Sequence, residues 1–161
     1  MKIIYLHQYF KFPNESGGTR SYDLATGFLK LKYEVEMITS TSNLKFKTRQ
    51  RWSRIEKDGL IVHYIYLPYA NEMSYFYRSM VFLKFLWFST LKLLSLKGDL
   101  ILATSTPLTI GIPALLKKWI HKIPFVFETR DVWPEAVIAI GAINNKIIQR
   151  ILYFLEGIIY T

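Results

Sequence analysis

Short apolar runs alternate with helix-period segments along the whole chain, and this alternation is what most restricts the fold. Residues 2–9 form an apolar run bounded by Pro13, Asn14 and the Gly17-Gly18 pair, which reads as a buried strand followed by a loop. Residues 20–32 place Tyr22, Leu24, Ala25, Phe28, Leu29 and Leu31 at a helical period. Strands are predicted at 34–40, at 60–67 after Asp58-Gly59, at 99–104 and at 124–128. Helices are predicted at 72–97, at 107–118 behind a Thr-Pro step, and at 146–160, with a short helical stretch from Trp133-Pro134-Glu135. The strands are apolar on both faces, so a parallel sheet covered by helices on both sides is expected. No repeat or linker divides the 161 residues, and one domain is enough.

In such a sheet, ligands bind beyond the carboxyl ends of the strands. Those ends are 9–20, 40–43, 104–107 and 128–135. The first holds Gly17, Gly18, Thr19 and Arg20 ahead of a helix. Glycines let a backbone approach a ligand, free N–H groups open the helix, Thr19 is placed to cap it, and Arg20 can pair with a phosphate. The dinucleotide fingerprint and the Walker pattern are both absent. At 103–107, Ser105 and its hydroxyl neighbours either face a ligand or cap the next helix, capping being favoured. The segment 128–135 carries Glu128, Arg130, Asp131 and Glu135 directly after an apolar strand. Charges beside a core need partners. Either Arg130 pairs internally with Asp131 or Glu128, or the loop is a polar site in which a carboxylate orients a hydroxyl. A nucleophilic triad of His7, Ser105 and Asp131 lacks a nucleophile elbow. His63 and His121 read as structural.

Charge and cysteine content narrow the classes. The chain has no cysteine, which excludes a disulfide scaffold and a thiolate site, and its three histidines lack metal-ligand spacing. The formal charge is +9, which suits an anionic membrane, a phosphorylated small molecule or nucleic acid. The densest basic stretch is Lys45, Lys47, Arg49, Arg51, Arg54 and Lys57, read as a solvated loop or a phosphate or membrane contact. No signal peptide opens the chain, so a cytoplasmic location is expected. The greasy helix near 79–96 carries Lys84 and Lys92, too charged to span a bilayer comfortably. Its predicted polar arc holds Lys84, Ser89, Lys92 and Ser95, with Val81, Phe85, Phe88 and Leu96 intruding on it; the opposite arc holds Phe82, Leu83, Leu86, Trp87, Leu93 and Leu94. It reads as a core helix whose outer face touches lipid headgroups through Arg78, Lys84, Trp87 and Lys92.

Taken in order, these segments resemble the N-terminal half of GT-B glycosyltransferases of the retaining family four, in the bacterial branch that builds capsule and O-antigen polysaccharide. Residues 1–10 resemble that branch's opening strand, and Ser16-Gly17-Gly18-Thr19-Arg20 its glycine loop. Asp99 to Pro107, and Pro124 to Glu135 with Arg-Asp-Val-Trp-Pro-Glu, are the most specific matches. The resemblance implies a Rossmann-like doubly wound sheet and transfer of a glycosyl unit from a nucleotide-sugar to a hydroxyl, with retention, no resident cofactor and no obligatory metal. It implies that Gly17 and Gly18 approach the donor diphosphate, and that Arg130 and Asp131 position sugar hydroxyls as catalytic residues. Ser105 and Glu128 would join the binding residues. The implied partners are a nucleotide-sugar, a polyprenyl-diphosphate-linked acceptor and the anionic inner face of the cell membrane, without nucleic acid.

Two departures stand out. Lys32 and Tyr33 occupy positions where Gly-His is common, which should cost about 1 kcal/mol at a left-handed helix end. Arg130 stands where many relatives carry histidine. The resemblance also places a further strand, and a donor-binding half with paired glutamates, beyond residue 161, so the 161 residues alone are expected to be inactive. The rival readings are a non-enzymatic basic module binding a membrane or nucleic acid, with Phe46 and Trp52 as stacking residues, and a nucleotide-dependent oxidoreductase. The oxidoreductase lacks its fingerprint and an acidic residue after the second strand.

Overall fold

A computed structural model describes residues 1–42, 51–69, 73–105 and 107–161. Six strands form one sheet: β1 (Lys2–Leu6), β2 (Glu34–Thr41), β3 (Trp52–Lys57), β4 (Leu60–Tyr66), β5 (Leu100–Thr104) and β6 (Phe125–Glu128), in the spatial order β3-β4-β2-β1-β5-β6. All neighbours are parallel except β3 and β4. The chain runs outward from β1 to β2 and then β4, then returns to the other side of β1 for β5 and β6. The order therefore reverses between β1 and β5, where a doubly wound sheet opens its crevice.

The helices are α1 (Arg20–Lys30), α2 (Tyr75–Ser95), α3 (Gly111–His121), α4 (Glu135–Ala139) and α5 (Lys146–Ile159). One core lies between the sheet and α2 and α3, from Ile4, Leu6, Ile38, Val81, Phe85, Leu93 and Ala114. A second lies on the opposite face under α1, from Tyr5, Phe10, Phe12, Ala25, Met37 and Val62. Helices on both faces explain why the inner strands are buried on both sides and largely apolar.

Three expectations about elements change. The stretch 52–57, read as part of a basic loop, is an antiparallel edge strand joined to β4 by the two-residue Asp58-Gly59 turn. Both turn residues have positive φ, 54° and 79°, the geometry that matches hairpin twist. The helix expected from Pro107 begins with a 3-10 turn, Leu108–Ile110, before α3. At the start of α3, Gly111 is where the helix meets α5: a Cβ there would fall 2.5 Å from Ile159 Cδ1.

The third concerns α2. Its core-facing residues are Val81, Phe85, Ser89 and Leu93, while Leu83 and Trp87 are exposed. The helix is turned away from the predicted arcs because Ser89 goes inward. Its hydroxyl donates to the Leu86 carbonyl at 3.2 Å, so burying it costs little, and its small volume admits close packing. At the end of α2, buried Lys117 of α3 donates to the carbonyls of Leu94 (3.0 Å) and Leu96 (2.7 Å). It thus supplies a cation to the negative end of the helix dipole. Burial lowers its pKa.

Candidate functional site at the carboxyl edge of the sheet

The reversal between β1 and β5 gathers a polar cluster. Thr104 ends β5 in register with Glu128 at the end of β6. The Thr104 hydroxyl donates to Glu128 Oε2 at 2.6 Å and lies 3.0 Å from the Tyr5 hydroxyl, itself 3.4 Å from the same carboxylate oxygen. The other oxygen, Oε1, faces Arg20 Nη2 at 2.7 Å. Glu128 therefore ties the first residue of α1 to the end of β6. The Arg20 charge is spent on this carboxylate rather than left open, and the cluster fixes the glycine loop against the 128–135 loop.

Beside it, buried His7 shares a 2.8 Å hydrogen bond between Nδ1 and the Ser21 hydroxyl. Its pKa falls to about 4, first through burial and then through the Arg130 charge, with Glu128 working in the opposite direction. His7 is therefore neutral at pH 7. Its hydroxyl partner is Ser21, not Ser105, and no His7-Ser105-Asp131 triad is assembled.

The loop after β6 is held from below. The Arg130 N–H donates to Ser105 Oγ at 2.7 Å, and the Ser105 N–H donates to the Glu128 carbonyl at 2.8 Å. Ser105 is buried. Its expected capping role is corrected: Pro107 precedes the 3-10 turn without a side-chain cap, and Ser105 fastens the β5 and β6 ends together. The internal pairing considered for Arg130 is also not what forms. Among the described residues Arg130 makes no ion pair, and Asp131 makes none; both side chains are exposed.

The glycine turn meets this loop. A Cβ on Gly18 would lie 4.0 Å from Arg130 Nη2, so both turns share one rim, and both are open to solvent. Gly17 has φ +134°, where a side chain is strained, and a Cβ there would press within 3.1 Å of the Lys11 stem. Thr19 does not cap α1. Its hydroxyl donates to Asp23 Oδ2 at 3.2 Å, leaving the first N–H groups of the helix without a side-chain cap.

Tyr5 and Ser21 are not marked as site residues by the sequence, His7 is weighed there only as part of a triad, and Thr104 only as a hydroxyl neighbour of Ser105. Their polar groups close apolar strands or begin a helix, a pattern that bears on chemistry only once the register sets them side by side.

Of the residues expected at a membrane, Lys84 and Trp87 lie on the open face of α2, whereas Arg78 and Lys92 are half-buried. Lys92 Nζ sits 5.8 Å from the Trp52 ring, and Trp52 packs against the first core, which removes it as a free stacking residue. Phe46, Lys45, Lys47 and Arg49 lie outside the described residues. Among the described residues no helix is long and apolar enough to cross a membrane.

No protein-family model matches the chain, and neither does any curated protein. Solved structures do. A sucrose-phosphate synthase from Thermosynechococcus elongatus superposes with TM-score 0.58 and 11% identity over 98% of this chain and 39% of its own. An E. coli trehalose-6-phosphate protein bound to UDP-2-fluoro glucose gives TM-score 0.50 and 14% identity over 79% of this chain and 32% of its own. The fold is GT-B-like. The chain spans about two fifths or less of the length of these two structures, and identity this low speaks to architecture alone.

Proposed function

We propose that this chain is the acceptor-side half of a GT-B glycosyltransferase that moves a sugar from a nucleotide-sugar to a saccharide or lipid-linked acceptor at an anionic membrane. The observation that carries the reading is the open rim where Gly17-Gly18 and unpaired Arg130 and Asp131 meet at the strand-order reversal. An exposed guanidinium beside a glycine turn suits a diphosphate oxygen or a developing negative charge on the leaving group. Asp131 can accept from sugar hydroxyls. Glu128, Thr104, Tyr5 and Arg20 hold the rim in place, and Ser105 holds the Arg130 backbone. The donor-binding half, with its paired glutamates, would be a second domain outside these 161 residues.

The membrane part of the reading rests on α2. Phe76, Met80, Leu83, Trp87 and Leu91 form an exposed apolar stripe with Lys84 beside it, the pattern of an interfacial helix. Placing a polyprenyl-linked acceptor, the capsule and O-antigen branch and a peripheral cytoplasmic location belongs to the same proposal. The competing reading, a non-enzymatic membrane-binding module, draws on this stripe alone and leaves the rim unexplained.

Two measurements test the proposal. The 161-residue chain should show no turnover of nucleotide-sugars, whereas the same chain expressed with the reading frame that follows it in its gene should transfer sugar, with activity lost in Arg130→Ala. Full activity of Arg130→Ala would remove the assignment of the rim. In liposome co-sedimentation, vesicles containing anionic lipid should retain the chain better than neutral ones. Equal, negligible retention by both would remove the membrane part.

A further inference from the structure

His7 is the one titratable group of the rim cluster that has no role so far. It follows β1 directly, and its ring is held through Nδ1 by Ser21 in the first turn of α1. The charges that act on it are those of Arg130 and Glu128, at the two ends of the rim loop. The residue is only 2% exposed. Its Nε2 has no hydrogen-bond partner among the described residues, yet it is not one of the atoms closed off from solvent. One nitrogen is therefore fixed from below, and the other is left open beside an exposed guanidinium.

The hydroxyls beneath the ring decide which nitrogen carries the proton. Glu128, ion-paired with Arg20, only accepts, and it takes the Thr104 proton at 2.6 Å. A threonine has a single hydroxyl proton. Tyr5, 3.0 Å from that hydroxyl and 3.4 Å from the carboxylate, is left to donate toward them. The Tyr5 oxygen then accepts from the Ser21 hydroxyl, which lowers the Tyr5 pKa as a donor to a phenol oxygen does. With its one proton given to Tyr5, Ser21 can only accept at the 2.8 Å bond to His7. Nδ1 therefore bears the imidazole proton, and Nε2 presents a bare lone pair. Burial and the Arg130 charge bring the pKa down to about 4, so His7 at neutral pH accepts a hydrogen bond and not a proton.

A lone pair in this place discriminates. A diphosphate oxygen at neutral pH has no proton to share with it and is repelled, whereas a hydroxyl donates to it. Arg130 offers the reverse, N–H donors and no acceptor. The rim thus carries one group for oxygen lone pairs and one for hydroxyl protons, and a sugar hydroxyl has both. We propose that His7 is a specificity-determining residue of the rim, its Nε2 accepting a hydrogen bond from a hydroxyl of the acceptor saccharide. Ser21, Tyr5, Thr104 and Glu128 are then positioning residues, since their chain of hydrogen bonds keeps that nitrogen unprotonated. The proposal rests on the glycosyl-transfer reading and deepens it: at this point of the rim the substrate is recognised by a proton that it donates, not by a charge.

The test uses the full 161-residue chain, its three histidines labelled with nitrogen-15, and proton–nitrogen correlation spectra at pH 7. The His7 ring is assigned by its loss in His7→Phe, or by elimination with His121→Gln and His63→Gln if that variant does not fold. Nδ1 should read as a protonated, pyrrole-type nitrogen and Nε2 as an unprotonated, pyridine-type one, and Ser21→Ala should let the two tautomers mix. The probes are the methyl glycosides of glucose, galactose, mannose, rhamnose and N-acetylglucosamine, added singly, with inorganic pyrophosphate as the anion comparison. At least one glycoside should move Nε2 saturably, and pyrophosphate should not. Followed through the Gly18 amide, the affinity for that glycoside should fall about threefold to tenfold in His7→Phe, or in Ser21→Ala if His7→Phe does not fold. The role is overturned if Nε2 carries the proton, if no glycoside moves it, if pyrophosphate alone does, or if the variant binds as tightly as wild type. No nucleotide-sugar or turnover enters the measurement. A His7 that ignores every glycoside, in a chain whose extended form transfers sugar, removes this role alone. A His7 that answers to one, in a chain whose extended form never transfers, removes the glycosyl-transfer reading alone.

Discussion

Acid should unfold this protein partly through one histidine. In the unfolded chain His7 titrates near the ordinary value of about 6.5; in the fold it titrates near 4 because it is buried and faces the Arg130 charge. Between those values the unfolded state binds a proton that the folded state refuses, so stability falls as pH falls through that window. The His7 contribution is flat above pH 6.5, declines through pH 5 and levels off below 4. Two and a half units at about 1.36 kcal/mol each give about 3.4 kcal/mol in full, and about 2 kcal/mol by pH 5. With a urea m-value of about 2 kcal/mol/M, the latter is a loss of about 1 M in midpoint. The comparison is wild type against His7→Gln, by urea denaturation at pH 7, 6 and 5. Buried His63 is also lowered, mainly by desolvation, and its partner Glu36 is held low because Lys2 and His63 outweigh the effect of burial. Both remain in the variant and cancel. The variant should lose about 2 kcal/mol less than wild type over this range. Parallel slopes would show that His7 is protonated in the fold, and with it that the cleft beside Arg130 already tolerates a second positive charge.

Other expectations can be read from stability and melting. Lys32 ends α1 at φ 62°, so Lys32→Gly should stabilise by about 1 kcal/mol and raise the melting temperature by about 2–4 °C. Lys117→Met should destabilise by about 2 kcal/mol in urea, since the part-buried carbonyls of Leu94 in α2 and of Leu96 just beyond it lose their donor; an unchanged midpoint would mean that water replaces the ammonium. Gly17→Ala, at φ +134° against the Lys11 stem, should cost about 1–3 kcal/mol, whereas Gly18→Ala should cost little. Gln8→Leu should be neutral or more stable by up to about 1 kcal/mol, because it removes a buried amide oxygen that has no partner among the described residues; a large loss would mean that the amide is satisfied in solution.

The inner sheet was legible because parallel strands buried on both faces leave mostly apolar runs, interrupted only at single positions such as Glu36 and His63. The edge was not. In β3, charged Arg54, Glu56 and Lys57 interrupt any such run, as an edge strand needs in order to resist pairing with other chains. The usable signal was Asp58-Gly59, a hairpin dipeptide read only as a break. Helix α2 was misoriented because Ser89 was counted as polar, although its hydroxyl bonds within its own turn. The meeting of the glycine turn with Arg130 followed from the carboxyl-edge rule alone. The pairing of Arg20 with Glu128 did not, since it depends on Thr104 standing opposite Glu128 and on the pitch of α1, neither of which a linear pattern contains. Gln8 left no trace in the sequence, because only coordinates reveal a polar atom without a partner.

The corrected rotation of α2 also changes how the helix would hold a membrane. With Val81, Phe85 and Leu93 turned inward, the outward residues are Phe76, Met80, Leu83, Trp87 and Leu91, between 38% and 72% exposed. Complete burial of such a side chain is worth about 1.5–3 kcal/mol. These five are already partly covered, so about 1 kcal/mol each remains, or about 5 in total. That is close to the marginal, reversible anchoring of a single myristoyl chain. Lys84 adds about 1 kcal/mol only where the lipid is anionic. The apolar stripe would therefore set the strength of the contact and the lysine its dependence on lipid charge and salt. Attachment of this kind is loose enough to release, as the proposed role at a membrane-held acceptor would require.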